Sequence, residues 1–104
     1  MNRGEVWMVR LNPTQGSEIN KTRPCLIVSP DELNNSLSTV IIVPLTKGSR
    51  PAPFRVETNF GNNSGRFLCE QVRTVDKSRL TGFQGQASWA DTNLVLEVLR
   101  DMFS

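Results

Sequence analysis

The sequence predicts a mostly β fold, a small barrel or sandwich covered by one C-terminal helix. Three observations carry that expectation. The apolar runs are short and separated by Pro, Gly, Asn and Ser, the punctuation of successive strands. Only one segment, following Ser88, repeats its apolar residues at helical spacing. A chain of 104 residues with 38% hydrophobic content can bury one core and is short for two, so a single domain over residues 1–104 is expected.

Glu5-Val6-Trp7-Met8-Val9-Arg10 reads as the first strand. It is almost continuously apolar, the pattern of a strand covered on both faces. It ends at Asn12-Pro13, and residues 13–22 form a polar loop. Pro24 to Val28 is the second strand, stopped by Ser29-Pro30. Pro30 followed by Asp31 and Glu32 suits the start of a helical turn, where a missing N–H costs nothing and acids face the positive end of the helix dipole. Thr39-Val40-Ile41-Ile42-Val43 is β-branched throughout and is the strongest strand, expected to stop at Pro44. Lys47 to Pro53 is too rich in Gly and Pro for regular structure. Phe54-Arg55-Val56-Glu57 alternates with period two, as an edge strand does. Gly61-Asn62-Asn63-Ser64-Gly65 is a turn; Phe67–Cys69, Gln71–Val75 and Gln84–Ala87 supply the remaining strands. Ser88 and Asp91 form a capping box. Behind it Leu94, Val95, Val98, Leu99 and Met102 make one apolar helix face, expected to cover the sheet.

Composition removes several functions. No apolar run approaches the roughly 20 residues needed to cross a bilayer. Arg10 interrupts the first apolar segment and no small-residue cleavage site follows, so no secretory leader and a cytoplasmic location are expected. Cys25 and Cys69 lie inside apolar runs and are not spaced as CxxC, so they read as buried small hydrophobes rather than a redox or zinc pair. There is no histidine, which excludes Ser-His-Asp triads, Cys-His pairs and histidine metal sites. No metal and no cofactor is expected. Nine of the twelve basic residues are Arg, the side chain that forks onto phosphate.

Three places carry polar residues that a sheet does not require. The first is the loop from Asn12 through Gly16-Ser17-Glu18 to Arg23. Arg23 precedes Pro24, which biases its backbone to the extended form; it reads either as a surface charge or as a fixed phosphate clamp. The second is Thr46, at the end of the most apolar strand, a turn-former or a hydroxyl donor. The third is Glu70-Gln71-Val72-Arg73-Thr74-Val75-Asp76, whose alternation puts Gln71 and Arg73 on one face of an expected strand.

Taken in order, Arg3-Gly4-Glu5-Val6-Trp7, Asn12-Pro13, Gly16-Ser17-Glu18, Arg23-Pro24, Val43-Pro44-Leu45-Thr46 and Glu70 through Asp76-Lys77 resemble the MazF/PemK/Kid family of toxins over residues 2 to 80. The resemblance implies an SH3-like barrel capped by a C-terminal helix and a homodimer. It implies a sequence-specific, ribosome-independent endoribonuclease that inhibits growth, paired with a cognate antitoxin with which it binds DNA. Cleavage of single-stranded RNA would leave a 2′,3′-cyclic phosphate and a 5′-hydroxyl. The family's catalytic Arg and Thr fall on Arg23 and Thr46, its substrate-binding Gln on Gln71 and its loop acid on Glu18. Some members carry His at the position of Ser17, and an Arg-Cys-Asp where this chain has Leu68-Cys69-Glu70. Leu68 cannot replace that Arg, so the Arg23/Thr46 site is the better match. Ile19-Asn20-Lys21-Thr22 stands where other members have glycines, which alters the loop expected to read RNA. A toxin of the same fold that poisons DNA gyrase by protein binding is the alternative; it would not need Arg23 and Thr46.

Metal-free RNA cleavage requires the 2′-hydroxyl to attack its own phosphate. Arg23 suits the stabilisation of the extra charge that then develops, and Thr46 adds a hydrogen bond. Without histidine, Glu18 is the candidate base, although a carboxylate is a weak base unless desolvated. Single strands expose the base edges that a protein can read. Asn12, Ser17, Gln71 and the loop beginning at Lys47 are the candidate readers, with Arg73 on phosphate. Trp7 reads as core, with base stacking the alternative.

Overall fold

A computed structural model describes residues 1–104. Seven strands and two helices follow one another as β1 (Glu5–Arg10), β2 (Thr22–Ile27), α1 (Asp31–Ser36), β3 (Thr39–Thr46), β4 (Arg55–Thr58), β5 (Gly65–Leu68), β6 (Arg73–Asp76), β7 (Leu80–Gln86) and α2 (Trp89–Met102). The strands form one sheet in the order β4-β5-β3-β2-β1-β7, with β6 also on β3, and every pairing is antiparallel. The sheet is not closed, since no ladder joins β4 to β7.

β3 organises the sheet. On one edge its residues 42–44 pair with β2. On the other, residues 39–42 pair with β6 and residues 45–46 with β5. Pro44 was expected to end this strand, yet β3 runs through it to Thr46. Proline removes one ladder hydrogen bond, and Pro44 sits where β3 changes partner from β6 to β5, so that bond is not needed there.

Both faces of the central strands are buried, as the apolar run of β1 predicts. Val6, Leu26 and Val43 belong to one cluster with Val56, Phe67 and Val95. Val9, Cys25, Ile27 and Ile42 point the other way and pack with Leu11, Val40 and Val75. The alternation of Cys25, Leu26 and Ile27 between clusters is the period of a strand. Trp7 joins this second cluster from its edge, as the core reading expects. It is half-buried, meets Phe83 edge-on with ring centroids 5.6 Å apart, and donates its Nε1–H to Glu5 at 2.8 Å.

Three elements differ from expectation for tertiary reasons. The strand read over Gln71–Val75 is interrupted by a 3₁₀ turn over Cys69–Gln71, and only Arg73–Asp76 pairs with β3. β7 extends back to Leu80 despite Gly82 and Gly85, because β1 supplies a ladder with two register shifts. Gly85 lies at the first shift with φ of 141°, a conformation side-chain-bearing residues avoid. Helix α2 is capped by Ser88, whose Oγ accepts the Asp91 N–H at 3.0 Å. Asp91 does not close the box; it accepts from Thr58 Oγ1 at 2.5 Å and ties the helix to β4. That anchor sets the helix rotation. Thr92 and Val95 are buried, with Leu96, Val98 and Leu99 partly buried against the sheet, whereas Leu94 and Met102 are exposed. No helix is long and apolar enough to cross a membrane.

Candidate active site

The start of β2 and the end of β3 come together at a pair of prolines. The last paired residues of that ladder are Cys25 and Pro44. Continuing the register, Pro24 faces Leu45 and Arg23 faces Thr46. Pro24 has no N–H to give to β3, so the two strands part there, and Arg23 and Thr46 line the resulting groove. It has a volume of about 760 Å³ and also takes in Lys47, Ser49, Phe60 and Gln84, with no acidic residue in its wall.

Two features mark the groove as unfinished. Arg23 donates its Nε–H to the Asn20 carbonyl at 3.2 Å, which orients the guanidinium, and neither of its Nη atoms has a protein partner. It has no carboxylate partner either, although Arg55 and Arg66 do. Thr46 Oγ1 is buried without any hydrogen-bond partner, and so is Ser49 Oγ. A buried unpaired hydroxyl costs about 1–3 kcal/mol. A ligand oxygen placed between Arg23 and Thr46 would relieve that cost. The wall is braced from behind. Arg66, opposite Thr46 on β5, donates to the Ser49 carbonyl at 2.5 Å and holds the loop after β3 in place. Gly65 lets β5 approach closely, since a Cβ there would lie 2.9 Å from the Thr46 carbonyl oxygen.

The other predicted residues lie elsewhere. Ser17, Glu18, Gln71 and Arg73 share a second, smaller pocket of about 380 Å³. Glu18 is exposed and accepts the Gln15 N–H at 2.5 Å. Gln71 accepts the Ile19 N–H at 3.4 Å, leaving its amide NH₂ free, and Arg73 donates to the Leu11 carbonyl at 3.1 Å. Gln71 and Arg73 therefore do share a pocket, although through a 3₁₀ turn rather than one continuous strand. Asn12 lies in neither pocket; its Oδ1 accepts from Lys21 N–H at 3.2 Å and from Thr14 at 3.3 Å, closing the base of the loop. Glu70 is engaged by Arg55, with Nη2 at 2.5 Å from Oε2. The thiols are not nucleophiles here. Burial pushes Cys25 up to about 12 and Cys69 to about 11, where thiolate is scarce.

Sequence reading missed Phe60 and Gln84, which reach the groove from the turn before β5 and from β7. Phe60 is the one aromatic in its wall, the part that Trp7 does not play. The amide-rich turn at 61–65 was visible in the sequence, but nothing local said which cavity it closes. Of the loop after β3, Lys47, Gly48 and Ser49 line the groove and Arg50 to Pro53 do not.

A family profile described as PemK-like, MazF-like toxin of type II toxin-antitoxin system matches residues 2–103. The chain belongs to this family. Among its relatives, the endoribonuclease PemK of Escherichia coli is 41% identical over 81 residues, covering 73% of this chain and 61% of that protein. The match thus spans less than two thirds of that relative's length. The endoribonuclease MazF9 of Mycobacterium tuberculosis (strain ATCC 25618 / H37Rv) is 32% identical over 110 residues, covering 96% of this chain and 93% of the relative. Among solved structures, MazF from Deinococcus radiodurans superposes with a TM-score of 0.88 at 24% identity, over 99% of this chain and 96% of that one. An endoribonuclease from a mycobacterial species, solved in complex with its cognate antitoxin, gives a TM-score of 0.83 at 24% identity, over 99% and 94%. The fold of the PemK/MazF family is therefore the fold of this chain.

Proposed function

We propose that this endoribonuclease toxin of the PemK/MazF family cleaves single-stranded RNA in the groove between β2 and β3, using Arg23 and Thr46 on the reacting phosphate. The observation that carries the reading is the buried, unpartnered Thr46 hydroxyl in the same groove as a guanidinium with both Nη atoms free, in a wall without acids. The substrate's 2′-oxygen attacks its own phosphorus, forming the O2′–P bond as the P–O5′ bond breaks. The products are a 2′,3′-cyclic phosphate and a 5′-hydroxyl. Arg23 forks onto the non-bridging oxygens, where charge develops, and Thr46 donates a further hydrogen bond. Glu18, on the 12–21 loop, takes the 2′-proton, and the departing O5′ takes a proton from water to leave as the 5′-hydroxyl. Lys47 and Arg73 meet phosphates, while Gln71, Asn12 and Ser17 meet base edges exposed in an unpaired strand.

The cut is selective for sequence and independent of the ribosome. It proceeds without a metal, the RNA's own 2′-oxygen being the nucleophile. The protein works in the cytoplasm as a homodimer, and a cognate antitoxin opposes it by laying an acidic segment over the cationic groove. Primer extension on a long RNA incubated with pure protein in excess EDTA tests the reading. Discrete stops, with cyclic-phosphate ends upstream of each cut, are expected. Activity that vanishes in EDTA and returns with magnesium would overturn the mechanism.

A further inference from the structure

A second cationic site lies at the same end of β2, and none of its three cations takes part in the chemistry above. It is a pocket of about 410 Å³ lined by Arg10, Asn12, Lys21, Thr22, Ser78 and Arg79. Three of these six residues are cations, none is an acid and none is apolar. Arg10, Lys21 and Arg79 form no salt bridge, in contrast to Arg55 and Arg66.

Like charges gathered in one cavity repel, so something must hold them. The two arginines are interlocked through backbone. Arg10 Nη2 donates to the Ser78 carbonyl at 2.9 Å, and Arg79 Nη1 donates to the Arg10 carbonyl at 2.9 Å and to that of Asn12. Each guanidinium keeps its remaining donors free but has lost much of its rotational freedom. Lys21 is placed by its backbone. It adopts φ of 67°, donates its N–H to Asn12 Oδ1 at 3.2 Å and accepts from Leu11 N–H at 2.9 Å, while its ammonium makes no contact with protein. Asp76, which acts electrostatically on Arg79, is turned to Ser78 and does not line the pocket. Oriented donors with no internal counter-charge are the makings of an anion site.

The pocket adjoins the groove along the chain. Lys21 and Thr22 line the pocket, and the next two residues, Arg23 and Pro24, line the groove. The two sites therefore meet at the start of β2, where Thr22 and Arg23 are neighbours in the chain. A polyanion leaving the groove meets the pocket by passing over that end. A peptide would look for apolar anchors, which the pocket lacks; a phosphodiester needs only the donors.

We propose that the Arg10–Lys21–Arg79 pocket binds the phosphodiester backbone of RNA outside the cleavage groove, lengthening the footprint on the substrate. The proposal rests on the reading of the chain as an RNA-cleaving enzyme. Lys21 is the residue to test, because its exposed side chain holds nothing else together, whereas Arg79 also fastens two carbonyls.

The experiment is fluorescence anisotropy with uncleavable 2′-O-methyl oligonucleotides, a hexamer and a twentymer, across a salt series. With Lys21→Gln, twentymer affinity should fall about threefold and the slope of log affinity against log salt should flatten by about 0.7, the value for one lost phosphate contact on a single strand. Lys21→Glu should lose about tenfold, the added repulsion deepening the effect. Hexamer affinity should change by less than about twofold in both variants, since one groove's worth of RNA does not reach the pocket. A twentymer that binds no tighter than the hexamer, or that ignores both substitutions, overturns the proposal. So does a loss confined to an acidic competitor peptide, which would make the pocket a protein contact. Because these oligonucleotides cannot be cut, the binding result is independent of catalysis. A wild-type protein that fails to cleave ordinary RNA, yet shows the Lys21 dependence, would refute the enzymatic reading and leave the pocket standing.

Discussion

Thr46→Val should make the protein more stable and nearly inactive. In most buried sites this exchange costs stability, because it removes a hydrogen bond that the hydroxyl makes. Here Oγ1 is buried with no partner, so the hydroxyl carries its desolvation penalty without compensation. Replacing it with a methyl group of similar shape removes about 1 kcal/mol of that penalty, from a range of about 1–3. For a domain near this size, about 1 kcal/mol corresponds to a rise in Tm of roughly 4–8 °C. The same hydroxyl is a donor aimed at developing charge, and removing one such donor costs about 10²–10³ in rate. The assay is single-turnover cleavage of a short RNA containing one cut site, run beside a thermal melt without RNA. A variant that melts several degrees below wild type would mean that Oγ1 is satisfied in the free protein. One that cleaves within about threefold of wild type would mean that Thr46 makes no contact in the transition state. Either result refutes the argument.

Arg23→Lys keeps the charge but loses the fork, so cleavage should fall by about 10²–10³ with an unchanged melt; a rate within threefold of wild type in the same assay would reduce Arg23 to an electrostatic contact. Gly65→Ala would set a Cβ 2.9 Å from the Thr46 carbonyl oxygen and push the strand carrying Thr46. Cleavage should drop by about tenfold or more, whereas Gly82→Ala, whose Cβ would meet only Gln84 Nε2 at 3.7 Å, should cleave normally. The cysteines predict a pH limit. Their folded values, about 12 for Cys25 and 11 for Cys69, lie above the ordinary 9.0, so the stability they contribute is full below pH 9 and is lost as pH rises through 11 to 12. Melts from pH 8 to 11 should show Tm falling only above about 9, and a maleimide should label neither thiol at pH 8 until guanidinium is added.

The elements were largely legible because their signals are local. Apolar runs marked β1, β2 and β3, and Ser88 marked the start of α2 to the residue. Arg23 before Pro24 and Thr46 after Pro44-Leu45 stood out as polar residues at strand ends, and they do line one groove. What the sequence determined alone, then, was which segments extend, which one coils, and which side chains are too polar for their place. The tertiary structure decided everything that depends on a partner far along the chain. β3 passes through Pro44 because β5 takes over its edge from β6, and α2 turns its buried stripe to Thr92 and Val95 because Asp91 is tied to Thr58. Glu18, Gln71 and Arg73 part from Arg23 and Thr46 into a pocket of their own, and Phe60 and Gln84 arrive at the groove from distant elements. Periodicity and capping depend on neighbours within a few residues; register, and with it the company a side chain keeps, depends on strands that meet only once the chain has folded.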